Sequence, residues 1–152
     1  MNTIAAITAA LVTALAADLG TFDLSGADAV KRGTFSGPPI SGPFVAIRPA
    51  EQLAGRQEAC GAWYLEEVEI LIDLWAPQTG DTTDDAAARA EVLQGEAKAA
   101  IDAARFDATA LGRCVRFACT GVTLDPAAAD APMTWARSQL RIELTYRRTP
   151  GT

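Results

Sequence analysis

At 152 residues, 49% apolar and 21% charged, the chain is long enough to bury one sizeable core and too apolar to be disordered. Its formal net charge of −6 excludes a protein built to grip phosphate backbones through clustered Lys and Arg. There is no His, and the three cysteines (Cys60, Cys114, Cys119) show no C-x-x-C spacing, so the usual zinc sets are excluded and reduced thiols in a cytosolic setting are expected.

The opening stretch MNTIAAITAALVTALAADLG has no basic residue before Lys31 and is interrupted by Thr and Asp, so neither an export signal nor a membrane span is expected. Ile4, Ile7, Leu11, Leu15 and Leu19 recur three and four apart, which predicts a first helix with one apolar face. Asn2 or Thr3 can cap its start and Gly20 can end it. Residues 30–36 and 43–48 read as two short strands joined by a Gly-Pro-Pro turn. Residues 49–61, with Glu51, Arg56 and Glu58, read as a long polar loop.

Residues 62–76 (AWYLEEVEILIDLWA) predict a strand with Val68, Ile70, Ile72 and Leu74 on a buried face and Glu67, Glu69 and Asp73 on an acidic one. Pro77 and Gly80-Asp81 end it. A second helix is expected from Asp84 to Phe106, capped by Thr83, with Asp84 and Asp85 at its positive end and Asp85 paired to Arg89. Its stripe of Ala86, Ala90, Leu93, Ala97, Ile101 and Ala104 suits close packing on a sheet. Strands over 113–124 and 134–148 follow, with a candidate bulge at Gly121, and Cys114 and Cys119 on opposite faces of the first. In the last strand Leu140, Ile142, Leu144 and Tyr146 face one way and Arg137, Gln139, Arg141, Glu143 and Arg147 the other. The order α-β-β-β-α-β-β predicts one α+β domain over 1–152, a mainly antiparallel sheet with two helices on one face.

No catalytic constellation emerges. Lys31 and Lys98 lack surroundings that would lower a pKa, and no nucleophile elbow, Walker A or dinucleotide fingerprint occurs. Glu66, Glu67, Glu69 and Asp73 could serve as a divalent-ion site or acid–base pair, but a solvated or inter-subunit sheet face accounts for them more simply. No cofactor and no enzyme activity are expected. Trp63, Trp75 and Trp135, near strand ends, suit core or rim packing, or an interface where Trp and Arg are favoured. The acids concentrate on strand 62–76 and the arginines on strand 134–148, each opposite an apolar stripe. Glu67, Glu69, Asp73, Arg137, Arg141 and Arg147 are therefore the candidate self-assembly residues, the competing account being plain cross-strand pairs within one sheet.

The stretches IAAITAALVTAL, GPFVAIRP, YLEEVEILIDLWAP, DAAARAEVLQGEAKAAI, VRFACTGVTL and SQLRIELTYRR, in that order over nearly the whole chain, resemble the tail-terminator and neck proteins of long-tailed phages and phage-derived gene transfer agents. The resemblance lies in element order and character, and it implies no catalytic residue. It implies a hexameric ring that caps the tail tube protein and docks to the head-completion or stopper protein, in a virion or phage-like particle assembled in a bacterial cytoplasm. DNA would cross the lumen without specific binding, which agrees with the net acidity. A head–tail stopper or adaptor of the same neck is the nearest alternative, and a small-ligand-binding α+β domain is the alternative of another class. Residues 49–61, 77–83 and 125–133 are the segments expected to order on assembly.

Overall fold

The computed structural model describes residues 3–16, 29–36, 42–60, 63–77, 84–105, 111–122 and 135–148, without the side chains of 52–60, 84, 85 and 122. Among these residues the elements are α1 (Ile4–Ala16), β1 (Val30–Arg32), β2 (Phe44–Ile47), β3 (Glu51–Cys60), β4 (Trp63–Pro77), α2 (Asp84–Arg105), β5 (Arg116–Val122) and β6 (Trp135–Arg148). The sheet runs β1-β2-β4-β6-β5, and β3 lies on the same flank of β4 as β2, so the sheet is five strands wide. Among the described residues every pairing is antiparallel except β1 with β2. The expected α+β class is what the chain adopts.

Alternation builds the centre. β4 and β6 pair from Tyr64↔Arg148 to Pro77↔Trp135, which sets Val68 beside Leu144, Ile70 beside Ile142 and Ile72 beside Leu140 on one face. Both helices cover that face, α1 through Ile7, Leu11 and Leu15 and α2 through Leu93, Ala97 and Ile101, all fully buried. The α2 stripe begins with small residues because the helix lies close there: Ala86 and Ala90 pack on Ala76 and Ala136, and the Ser138 hydroxyl donates to the Ala90 carbonyl at 2.9 Å. Thr3 caps α1, its Oγ1 accepting from the Ala6 amide at 3.2 Å.

Four readings need correction. Residues 51–60 are not a loop but strand β3, hydrogen-bonded to β4 with a register shift between Gln52 and Gln57. The two short strands before it are not a hairpin: β1 and β2 are parallel, and β1 stops after three residues where Gly33 turns the chain at φ 140°. Gly121 makes no bulge, since β5 and β6 stay in register from Arg116↔Thr145 to Val122↔Gln139. It makes room instead, for a Cβ there would lie 2.6 Å from Gln94 Oε1. Finally, Cys114 precedes β5 rather than sharing the strand with Cys119; it is buried in the core, and Cys119 lies half-buried on the helix-facing side, opposite Ile142. Asn2, Leu19, Gly20, the Gly-Pro-Pro turn, residues 78–83 with Thr83, the Asp85 side chain, Phe106 and residues 125–133 lie outside the described residues.

Candidate assembly interface

The face of the sheet away from the helices carries Trp63, Leu65, Glu67, Glu69, Leu71, Asp73 and Trp75 from β4, and Arg137, Gln139, Arg141, Glu143, Thr145 and Arg147 from β6. Because the two strands are direct neighbours, all six candidate assembly residues come together on this one face. They do different things there. Asp73 is fully buried: Arg48 donates to it from Nε at 2.7 Å and Nη2 at 3.2 Å, and the Gln139 amide donates at 2.8 Å. A carboxylate this deep is stable only because three donors replace its water. Glu69 pairs with Arg141 at 3.3 Å within the same chain, an exposed pair of small worth. Arg137 stacks over the Trp75 ring at 5.2 Å and Arg147 over the Trp63 ring at 4.4 Å. Glu67 sits half-buried opposite Thr145.

Two Trp–Arg stacks thus bracket this face, one at each end of β4, with the ionic residues between them. No helix covers it among the described residues, yet its β2 side is closed: Phe44 and Ala46 are fully buried there, Phe44 meeting the Phe35 ring edge-on at 5.3 Å. Charge is also polarised across the strands. Glu51 on β3 and Glu67 and Glu69 on β4 make the β3 end of one flank acidic, while Lys31, Arg32 and Arg48 lie at its β1–β2 end. Arg137, Arg141 and Arg147 on β6 and the exposed Arg116 on β5 make the other basic, with Glu143 the single acid among them.

The four-acid cluster does not survive folding. Glu66 points to the helix side, where the Tyr146 hydroxyl donates to its Oε2 and Arg148 Nε to its Oε1, both at 2.5 Å. Burial, and then the Glu66 carboxylate, push the Tyr146 phenol up from its ordinary value. Among the described residues no group of three His, Cys, Asp or Glu could hold a metal ion. Glu66 and Tyr146 floor a cavity of about 460 Å³ beside the first turn of α1, walled by Ile4, Ala5, Ile47 and Val68. Its carboxylate and phenol are already bonded to each other and to Arg148, and Thr8, Arg32 and Arg48 complete its polar lining. Arg48 and Gln139, which take Asp73 out of solvent, carry no signal in the sequence pattern. Arg48 follows β2 at the break before β3, and only the pairing of that break with Leu71 aims it at Asp73.

The fold defines a two-faced α+β domain, one face closed by helices and the other presenting Trp, Arg and Glu. No protein-family model and no curated protein matches the chain. Among solved structures it is similar to a chain of the virion of a native gene transfer agent particle, at 17% sequence identity and a TM-score of 0.53, over 95% of this chain and 96% of that one. At that identity the likeness is one of fold. No helix among the described residues is long and apolar enough to cross a membrane.

Proposed function

We propose that this chain is a non-catalytic structural subunit of a phage-like particle, and that copies of it form the ring that ends the tail tube and joins it to the head-completion complex. The likeness of fold to a gene transfer agent virion chain, spanning nearly the full length of both, is the observation that carries this reading. The order and character of the elements support the finer role, and the charged, Trp-bracketed open face supports assembly, since Trp and Arg are favoured at interface hot spots. A net charge of −6 suits a passage through which DNA slides, because phosphate-binding bases would hold it.

Deleting the gene and imaging the resulting particles tests the role. Loss of a terminator leaves tubes of uncontrolled length without heads. Loss of a stopper or adaptor leaves tubes of normal length and heads that lose DNA, which would reassign the chain within the same neck. Intact, infectious or transducing particles would remove the structural reading altogether. Native mass spectrometry then gives the copy number, for which six is expected, whereas a monomer carrying a small molecule would favour a ligand-binding domain.

A further inference from the structure

Resting on the ring reading, we infer that neighbouring copies join edge to edge, β5 of one copy pairing with β3 of the next, so that the sheet continues from subunit to subunit. The sheet has two outer edges, and they differ. On one side β1 is three residues long and basic, carrying Lys31 and Arg32, which blunts it. Beyond β1 the chain turns away at Gly33, and among the described residues nothing pairs with the outer edge of β3, which is bulged between Gln52 and Gln57 and runs in continuous register with β4 over Gln57–Cys60. On the other side β5 is seven residues in unbroken register with β6, and its own sequence, RFACTGV, has no Lys, Pro or bulge to protect its outer edge. Arg116, Ala118, Thr120 and Gly121 are all exposed, so the rest of the described chain does not cover that edge. Val115, just before β5, is 51% exposed, one of the two exposed large hydrophobic residues among those described.

Direction and charge both select this joint. β3 and β6 each run antiparallel to β4, and β5 runs antiparallel to β6. If successive copies keep one orientation, β5 therefore meets the neighbour's β3 antiparallel, and the open faces stay on the same side. The joint also sets the basic flank of one copy, with Arg113 and Arg116 outermost, against Glu51 on β3 of the next. Head-to-tail contact of two unlike, complementary edges is what closes a ring rather than a pair. The centres of β5 and β3 lie about four residues apart along the strand axis, so each copy is displaced by roughly 13 Å relative to the last, a stagger that closed sheets generally have.

Amide hydrogen exchange on the assembled and dispersed full-length protein tests the joint, alongside the double variant Arg116→Glu with Thr120→Glu and the single variant Thr120→Glu, which set acids against the neighbour's Glu51. Both positions face solvent on the open side, so the core is untouched. Amides of β5 and β3 are expected to exchange at least tenfold more slowly in the assembly, and the double variant should lose at least nine-tenths of its rings while keeping the parent's circular dichroism and Tm. If the glutamate variants of β5 assemble like the parent and β5 exchange is the same in both states, while Arg147→Glu disperses the rings, the edge joint is wrong and the ring stands. If the parent forms no oligomer, alone or on purified tail tubes, the ring reading and the joint fall together. The exchange measurement on the parent decides the matter even where a glutamate variant fails to fold.

Discussion

Single side chains here show how far environment overrides residue type. Asp73 sits among acids that face water, yet Arg48 and Gln139 close over it. Replacing it with Asn keeps the volume but strands the Arg48 charge, and unfolding in urea should show a loss of about 2–3 kcal/mol. Gly121 is required for a different reason. Gly121→Ala pushes the Gln94 amide off the Gln139 carbonyl it now donates to at 2.9 Å, and because the clash is with the end of a flexible side chain the cost should be about 1 kcal/mol. Cys119 and Cys114 are both thiols rather than a disulfide. Burial first, and Asp102 second, push the Cys119 thiol up from 9.0 to about 11, against a lowering by Lys98. At pH 8 that leaves on the order of a hundredfold less thiolate than an ordinary cysteine, so alkylation by iodoacetamide should be slow until the chain unfolds. The folded chain holds a proton that the unfolded chain releases above pH 9.0. The stability due to this group is therefore complete below pH 9.0 and lost as pH rises through about 11.

At the scale of elements, what the pattern disclosed is what hydrophobic burial enforces. Ile70 is fully buried in the register its alternation predicts, and Ile70→Ala should cost about 2–5 kcal/mol in equilibrium unfolding. A much smaller loss would mean that the sheet centre can collapse around the gap. Both helices were legible for the same reason, through Ile7, Leu11 and Leu15 and through Leu93, Ala97 and Ile101. β3 was not, because EQLAGRQEAC has no alternating apolar face. Its residues are extended because the β4 backbone offers hydrogen bonds, a partner that no local pattern announces. The parallel pairing of β1 and β2 was hidden likewise, since a Gly-Pro-Pro turn reads as a hairpin whichever way the chain later swings. Of the candidate interface, the face and its six charges were legible and the partners were not. Asp73 belongs to Arg48, and Glu69 meets Arg141 in its own chain, so reversing both charges would rebuild an internal pair and say little about neighbours. Arg147→Glu is the more informative change. It removes the stack on Trp63 at the rim, should cost less than about 1 kcal/mol of stability, and should weaken assembly if this face is used.

For the molecule as a whole, the separation of an apolar core from a charge-polarised surface predicts two salt responses. Raising ionic strength from about 0.05 to 0.5 M shortens the screening length severalfold and should disperse assemblies in sedimentation velocity, while Tm stays nearly constant. A Tm that fell in step with assembly would mean instead that the subunit is stable only in the ring. The end of α2 bears on how such a ring grows. Arg105 donates from Nη1 to the carbonyls of Leu111 and Gly112 and from Nη2 to that of Cys114, and its guanidinium stacks on the Phe117 ring at 5.6 Å. One side chain thereby ties the helix, the turn and the first residues of β5 together. A strand tethered in this way meets its partner already shaped, and little entropy remains to be lost on contact. Subunit addition should then follow a single kinetic phase governed by collision frequency. Arg105→Ala should add a slow second phase in stopped-flow light scattering, with the lifetime of a completed ring changing less than the time taken to build it.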